Sequence, residues 1–164
     1  MSGMEKEIHT ALSILEKGEP PMATTRIMPL HTGKGRTVGK AIADIIDYVG
    51  DPSKTDEGRL VTSWQCNSRI ADAEFLYTQN EYIQKTGRMR GADNVIAYHL
   101  RQSFFPGEIT SEEANRLGCE LARRLTKGNN AYVVCTHIDR HHIHNHIICA
   151  PIRGRVNPLS KRQA

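Results

Sequence analysis

The stretch HIDRHHIHNHIICAP, residues 137–151, constrains the fold more than any other part of the sequence, because its histidines alternate with other residues. Successive side chains of a β-strand point to opposite faces, so His142, His144 and His146 share one face of a strand. The stretch ends in an apolar run, which is typical of a strand buried in a sheet. The sequence therefore predicts a sheet strand that carries three imidazoles on one face.

The apolar run that precedes this strand is separated from it by a short turn, which predicts an antiparallel hairpin. Elsewhere, apolar residues recur with strand or helix periodicity between glycine- and proline-containing loops. Thr37 and Thr110 are predicted helix N-caps, and Glu113 completes a capping box with Thr110. The predicted strands cover residues 23–30, 60–67, 95–104, 130–138 and 143–152, and the predicted helices cover residues 37–49, 69–86 and 110–126.

The element order β-α-β-α-β-α-β-β predicts an α+β fold with a central, mainly antiparallel five-stranded sheet and flanking helices. We expect the two C-terminal strands to be adjacent and central in that sheet. We also expect the histidines to lie on the face opposite the main packing helices, open to solvent.

Two units are predicted along the chain. Residues 5–17 have helical apolar spacing, and Gly18 with the prolines after it ends that helix, so residues 1–21 form an appended helix. Residues 22–164 form the main domain. Because the chain stops within a basic segment, we expect this domain to be the N-terminal part of a longer protein.

Composition narrows the class of protein. The 164 residues suit one domain with a real core, and the net charge of +4 permits an anionic partner without requiring one. No apolar run reaches the roughly 18 residues of a membrane span, and no cleavable leader is recognisable. We expect a monomeric cytoplasmic protein without membrane contact. Its four cysteines lack a CxxC pair and are predicted to be reduced thiols: Cys66, Cys119, Cys135 and Cys149.

The histidine spacing also predicts a metal site. Two histidines at positions i and i+2 of a strand bring imidazole nitrogens within reach of one ion, and the hairpin returns His137 alongside them. Three neutral imidazoles leave coordination positions open, as in catalytic rather than structural sites. Asp139 is a candidate acceptor for the second N–H of a ligand histidine. Alternation alone leaves open whether the pair is His142 with His144 or His144 with His146.

The sequence THIDRHHIHNHIICAP resembles the third motif of the HUH relaxases, most of all the MobP type. These relaxases are the DNA-nicking enzymes of plasmid mobilization and conjugative transfer. The family pattern is His-x-Asp, four residues, then His-x-His, which on this chain selects His137, Asp139, His144 and His146. The middle residue of the histidine pair is usually apolar in the family, whereas this chain has Asn145.

Two further stretches carry the resemblance, which covers residues 22–152. DIIDYVGDPSKT, residues 44–55, resembles the first motif, and AYHLRQSFFPGE, residues 97–108, resembles the second. The resemblance implies the HUH endonuclease fold, with a ferredoxin-like palm, and Tyr48 as the nucleophile. It also implies a divalent metal, Mn or Mg, although imidazole ligands by themselves also suit Zn, Ni or Co. Attack on a DNA phosphate would give a 5′-phosphotyrosyl bond and a 3′-hydroxyl.

Several other residues are candidates for DNA contacts. Ser103 in the second motif matches a family position beside the nick, and Arg101 and Gln102 flank it. Tyr98, next to this motif, is the rival candidate for the nucleophile. Basic side chains in loops, which can follow a single-stranded backbone, complete the predicted DNA-binding set: Lys34, Arg36, Lys54, Arg88 and Arg90.

The resemblance therefore implies a relaxase that nicks one strand at the origin of transfer of a plasmid or integrative conjugative element. Its implied partners are single-stranded origin DNA, relaxosome accessory proteins and a type IV secretion coupling protein in a bacterial cytoplasm. One alternative is a rolling-circle replication initiator, which usually places the histidine pair before the tyrosine. Another is a metal-binding DNA-docking module without catalysis, which would tolerate loss of Tyr48. A zinc hydrolase would need Asp139 as its base, since the chain has no HExxH motif.

Overall fold

The computed structural model describes residues 23–87 and 95–150, apart from the side chain of Thr86. Within these ranges the chain forms five strands and three helices in the order that the sequence predicts. The strands are β1 (Thr24–His31), β2 (Val61–Trp64), β3 (Val95–Ser103), β4 (Tyr132–His137) and β5 (His144–Cys149). The helices are α1 (Val38–Val49), α2 (Ala71–Thr86) and α3 (Ser111–Thr126). The predicted appended helix, residues 1–21, lies outside the described residues.

The strands form one sheet in the order β1-β3-β5-β4-β2, and every neighbouring pair is antiparallel. The α+β class and the antiparallel five-stranded sheet are thus confirmed. The C-terminal strands β4 and β5 are adjacent, and β5 occupies the centre. All residues of these two strands are buried, which explains why the apolar runs of the hairpin dominate the sequence pattern.

Helices cover both faces of the sheet. One hydrophobic cluster joins α1 and α2 to one face and includes Val133, Cys135 and Ile148. A second cluster joins α3 to the other face and includes Val134 and Ile147. Successive residues along β4, and likewise along β5, therefore pack against helices on opposite faces of the sheet, as strand alternation requires.

The position expected for the histidines is wrong in two respects. His144 and His146 have the same strand parity as Ile148, so they share the face of α1 and α2 rather than lying opposite them. They lie beyond the C-terminal end of α1, which covers only part of that face. Their side chains are also buried rather than open, because the end of α1 and the following loop pack beside them.

The predicted helix caps are present. The Thr37 hydroxyl accepts a hydrogen bond from the Lys40 backbone N–H, and the Thr110 hydroxyl accepts one from the Glu113 N–H, each at 3.2 Å. The capping box is only half formed, because the Glu113 carboxylate bonds to Arg116 instead of reaching back to the cap. These caps fix where α1 and α3 begin.

Helix α3 approaches the sheet closely at Gly118. A Cβ atom at this position would lie 2.6 Å from Asn145 Nδ2 and 2.8 Å from Val134 Cγ1. Glycine therefore allows the helix backbone to approach β4 and β5 more closely than a side chain would permit.

The structure also bears on two further predictions, which concern the cysteines and a membrane span. The four cysteines form no disulfide, and burial raises the pKa of Cys135 and of Cys149 to about 12, so these two thiols are inert. Among the residues that the structure describes, no helix combines the length and apolar character that crossing a membrane requires.

Candidate active site

Three histidines of the β4–β5 hairpin converge. His137 ends β4, while His144 and His146 lie at the start of β5, and one ring nitrogen of each lies within 4.8 Å of the others. All three side chains are buried. His142 has its ring centroid 5.3 Å from that of His144, but it does not belong to the converging group. Of the two alternatives that strand alternation left open, the structure thus brings together His144 and His146.

The second nitrogen of His137 has a different partner from the one expected. Its Nε2–H donates a hydrogen bond of 2.8 Å to the carbonyl oxygen of Val49 rather than to Asp139. Asp139 lies on the exposed turn after β4, 3.9 Å from Arg140. Burial lowers the pKa of His137, and the charge of the Asp139 carboxylate partly opposes that shift. Asp139 therefore acts on this histidine through its charge.

The other two histidines also have partners for their second nitrogens. His144 Nδ1 lies 3.4 Å from the carbonyl oxygen of His142, and His146 Nδ1 lies 2.7 Å from His99 Nε2. Sequence spacing does not reveal His99 as a site residue, because the register between β3 and β5 brings it to His146. Its signals in the sequence are its position within residues 97–108, the stretch that resembles the second motif, and its parity, since it lies two residues before Arg101 on the same strand face.

The cluster is held in its neutral form by its surroundings. Burial lowers the pKa of His144 to about 4 and that of His146 to about 2. Burial also lowers the pKa of His99 to about 4. Near neutral pH all these rings are therefore uncharged, which is the form that can bind a metal ion.

Tyr48 lies over the histidines. It is the penultimate residue of α1, its side chain is 52% exposed, and its ring centroid lies 5.9 Å from that of His146 and 6.3 Å from that of His137. The bond from His137 to the Val49 carbonyl fixes the end of α1 against the cluster. Tyr98, the rival, packs against the core between the sheet and α3, on the opposite face. The structure therefore brings Tyr48, and not Tyr98, to the histidines.

Lys54 lies beside Tyr48. Its ammonium nitrogen is 4.2 Å from the centroid of the Tyr48 ring. The loop that carries Lys54 is fixed to the end of β4, because the Ile138 N–H donates to the Lys54 carbonyl at 2.9 Å and the Thr136 N–H donates to the Leu60 carbonyl at 3.0 Å. This loop therefore holds a positive charge against the phenol ring.

Strand β3 carries a basic surface beside the cluster. Arg101 pairs with His146 and Ser103 pairs with His144, so both side chains lie on the histidine face, and Arg101 is exposed. Arg26 of β1 pairs with Arg101 and is exposed as well. The sequence pattern does not single out Arg26, because only the pairing of β1 with β3 places it here.

Gln102 does not belong to this surface, contrary to expectation. Alternation turns its side chain to the opposite face, where it is only 3% exposed and accepts a hydrogen bond of 2.9 Å from Asn145 Nδ2. Asn145 also donates to the Ala114 carbonyl and accepts from the Thr136 hydroxyl, each at 2.6 Å. The polar residue at this usually apolar position of the motif is thus explained by a buried network beneath α3.

The other predicted DNA contacts are not brought to the cluster. Lys34 and Arg36 lie between the end of β1 and the start of α1. Tyr48 lies at the other end of that helix, and an α-helix rises about 1.5 Å per residue along its axis, so the length of α1 separates it from these two basic residues. Arg36 also forms an ion pair with Asp44. The predictions for Arg88 and Arg90 fall outside the described residues.

Comparison with known proteins gives this arrangement a family. The profile of the relaxase family described as MobA/VirD2-like, nuclease domain, matches residues 48–159. A Protein rlx of Staphylococcus aureus is 39% identical over 127 residues, which are 77% of this chain and 33% of that protein. Another Protein rlx of that species is 41% identical over 68 residues, which are 41% of this chain and 21% of that protein.

Another relative is the group II intron-interrupted relaxase LtrB of Lactococcus lactis subsp. cremoris. It is 30% identical over 127 residues, which are 65% of this chain and 22% of that protein. The chain thus spans a third or less of the length of these curated relatives. The profile match covers more than half of the chain and includes Tyr48 together with all three converging histidines. The chain therefore belongs to the MobA/VirD2-like relaxase family and matches the nuclease domain of that family.

Proposed function

We propose that this domain nicks one strand of DNA at an origin of transfer, with Tyr48 as the nucleophile. The observation that carries the proposal is the position of the Tyr48 ring over three converging histidines. A tyrosine that is half exposed can meet a DNA strand, while the buried cluster beneath it supplies a fixed chemical environment. Membership of the relaxase family supports the same activity.

The histidine cluster fits a divalent metal ion. Its rings are buried and neutral, one nitrogen of each converges, and the second nitrogen of each has a hydrogen-bonding partner. His137, His144 and His146 would hold the ion, Mn or Mg as in the family resemblance, although nitrogen ligands also suit Zn, Ni or Co. When bound, the ion supplies positive charge that offsets the negative charge of the scissile phosphate.

The chain's own residues supply the rest of the reaction. The Tyr48 hydroxyl loses its proton and its oxygen forms a bond to phosphorus, while the bond from phosphorus to the 3′ oxygen breaks and that oxygen takes up a proton. One phosphodiester replaces another, so the step can reverse and rejoin the strand. The Lys54 ammonium group, 4.2 Å from the ring, places positive charge where the phenol becomes negative. Asp139 contributes the charge that opposes part of the pKa shift of His137.

The DNA strand is proposed to cross the histidine face beside Tyr48. Arg26 and Arg101 lie next to each other there, and Ser103 presents a hydroxyl beside His144. Arginine and serine side chains commonly contact phosphate oxygens, which position a strand without reading its sequence. In the full-length protein, we propose that relaxosome accessory proteins and a type IV coupling protein of a bacterial cytoplasm act as partners.

A covalent-adduct assay tests the proposal. Labelled single-stranded oligonucleotides tiled across the DNA that flanks the gene are mixed with the protein and Mn, and the products are run on a denaturing gel. We expect a protein–DNA adduct with the wild type and with Tyr98→Phe, and none with Tyr48→Phe, which keeps the ring but lacks the hydroxyl.

The assay also separates the alternatives. An adduct that persists in Tyr48→Phe would show that a different residue attacks the phosphate. Specific DNA binding and Mn binding by the wild type without any adduct would instead favour the non-catalytic docking module.

A further inference from the structure

We propose that His99 is a positioning residue for the metal centre: its Nε2 accepts a hydrogen bond from the Nδ1–H of His146 and thereby leaves His146 Nε2 available to a divalent ion. The inference rests on the proposed metal-dependent function and names a residue outside the His-x-Asp and His-x-His pattern of the third motif. It concerns the protonation pattern of one ligand rather than the number of ligands.

The contact between the two rings is short and direct. His99 Nε2 lies 2.7 Å from His146 Nδ1, and the ring centroids are 4.9 Å apart with planes inclined by 37°. Register explains the approach: His146 pairs with Arg101 across β3 and β5, and His99 lies diagonally from it on the same face. Ile148, which pairs with His99, belongs to the hydrophobic cluster under α1 and α2.

A neutral imidazole carries its proton on one nitrogen only, and the other nitrogen is the one that can bind a metal. A single proton fits between two nitrogens 2.7 Å apart. If it belongs to His146 Nδ1, then His146 Nε2 can bind the ion. If it belongs to His99 Nε2, then neutral His146 is protonated on Nε2 and cannot be a ligand there. The tautomer of His99 therefore sets the tautomer of His146.

The other two histidines do not depend on a side chain in this way. In the hydrogen bonds that the structure describes, His137 and His144 direct their second nitrogens at the backbone carbonyls of Val49 and His142. A carbonyl only accepts, so it fixes the proton on the nitrogen that faces it. His146 faces a group that can donate or accept. Its readiness to bind an ion can thus be altered by a substitution outside the ligand set.

His99 is not itself placed as a ligand. Among the described residues, the group of converging nitrogens comprises His137, His144 and His146. The Nε2 atom of His99 faces Nδ1 of His146, which is not the nitrogen that we assign to the ion. Positioning and ligation predict different outcomes for a glutamine at residue 99, because its amide oxygen can accept a hydrogen bond but is a poor replacement for an imidazole ligand.

Calorimetry with Mn on the metal-free domain tests the inference. His99→Phe keeps a ring but removes the acceptor, and we expect its Mn affinity to fall by about 10- to 100-fold, the usual loss when a partner of a metal ligand is removed. His99→Gln should recover most of that loss. His31→Phe, the same change on an exposed histidine of β1, is the matched control and should bind Mn like the wild type.

Nitrogen-15 NMR of the metal-free wild type gives a second measurement that requires no variant to fold. We expect His146 to be protonated on Nδ1 and His99 on Nδ1 as well. Protonation of His146 on Nε2, or wild-type Mn affinity in a folded His99→Phe, would overturn the inference. Equal losses in His99→Gln and His99→Phe would overturn it in favour of a fourth ligand. Failure of the wild type to bind any divalent ion would instead remove the proposed metal centre, and the inference with it.

Discussion

Among individual residues, Lys54 combines a fixed position with a charge suited to the proposed reaction. Its ammonium group lies 4.2 Å from the Tyr48 ring centroid, and its carbonyl is anchored by the Ile138 N–H. From the sequence, Lys54 is predicted to be one of several loop residues that contact DNA. The structure adds that this lysine lies against the ring of Tyr48, the proposed nucleophile, where its charge would act on the attacking group as well as on the phosphate backbone.

Replacing Lys54 by Met keeps most of the aliphatic chain and removes the charge. We expect the rate of adduct formation to fall by about tenfold, equivalent to about 1.4 kcal/mol of activation free energy, with a smaller loss of DNA binding. Single-turnover cleavage and fluorescence anisotropy measure the two effects separately. Lys34→Met is the matched control, because Lys34 lies beyond the other end of α1. Equal losses in the two variants would contradict a local role for Lys54.

Strand alternation and one tight hairpin predicted that His137 and two alternating histidines converge, but only the family pattern selected His144 and His146 as that pair. The same alternation, applied to β3, would have removed Gln102 from the predicted DNA contacts. His99 and Arg26 could not be predicted, because their roles depend on the register of β3 against β5 and β1, which no local pattern specifies.

Among the secondary-structure elements, the position of α3 is determined by one close approach and one polar network. Gly118 allows the helix to contact β4 and β5, and Asn145 bonds to the Ala114 carbonyl from the strand below. Asn145 lies between the two ligand candidates of β5, so the network also fixes the strand on which they are carried. The element boundaries themselves followed well from periodicity and from Thr37 and Thr110 as caps.

Gly118→Ala should destabilise the fold although alanine favours helix. The added Cβ would meet Asn145 Nδ2 at 2.6 Å and Val134 Cγ1 at 2.8 Å, and we expect overpacking to lower the free energy of unfolding by about 1–3 kcal/mol. Gly39→Ala in α1 is the matched control, since its Cβ would meet only the end of the Leu76 side chain, at 3.2 Å. Urea unfolding compares the two variants, and equal stability of Gly118→Ala and wild type would contradict the close approach.

At the scale of the whole molecule, the histidine centre couples stability to pH. Burial lowers the pKa of His99 and of His144 to about 4 and that of His146 to about 2 in the folded state, against about 6.5 in an unfolded chain. Below about pH 6.5 the unfolded chain therefore binds protons that the folded protein does not. The free energy of unfolding is highest above that pH and decreases as the pH falls towards about 4, and His146 continues the loss below it.

This effect is expected in the metal-free protein. With a chelator present, the urea midpoint should change little above about pH 7.5 and should fall steadily between about pH 6.5 and 4. The same series with His99→Phe should fall less steeply, since one of the neutral histidines is absent. A midpoint that stays constant between pH 7 and 5 would show that these histidines titrate alike in both states.

The layer arrangement was the part of the whole molecule that sequence could not predict. Alternation shows that two faces differ, but it does not say which helix covers which face. The histidines were expected opposite the main helices, and they lie instead beside the end of α1 because that helix covers only part of its face. The distance from Tyr48 to the cluster depends on this detail, since the helix end and the cluster share one side of the sheet.

The hydrogen bond from His137 to the Val49 carbonyl has a consequence for the end of the proposed reaction. In the proposed reaction the two ends of the nicked strand are later rejoined, and until then the 5′ end would be attached to Tyr48. Because that tyrosine is carried on the last turn of a helix tethered to β4, the bound end has little freedom to swing away. In the proposed reaction, the domain would therefore keep one DNA end in position until a 3′-hydroxyl returns to it.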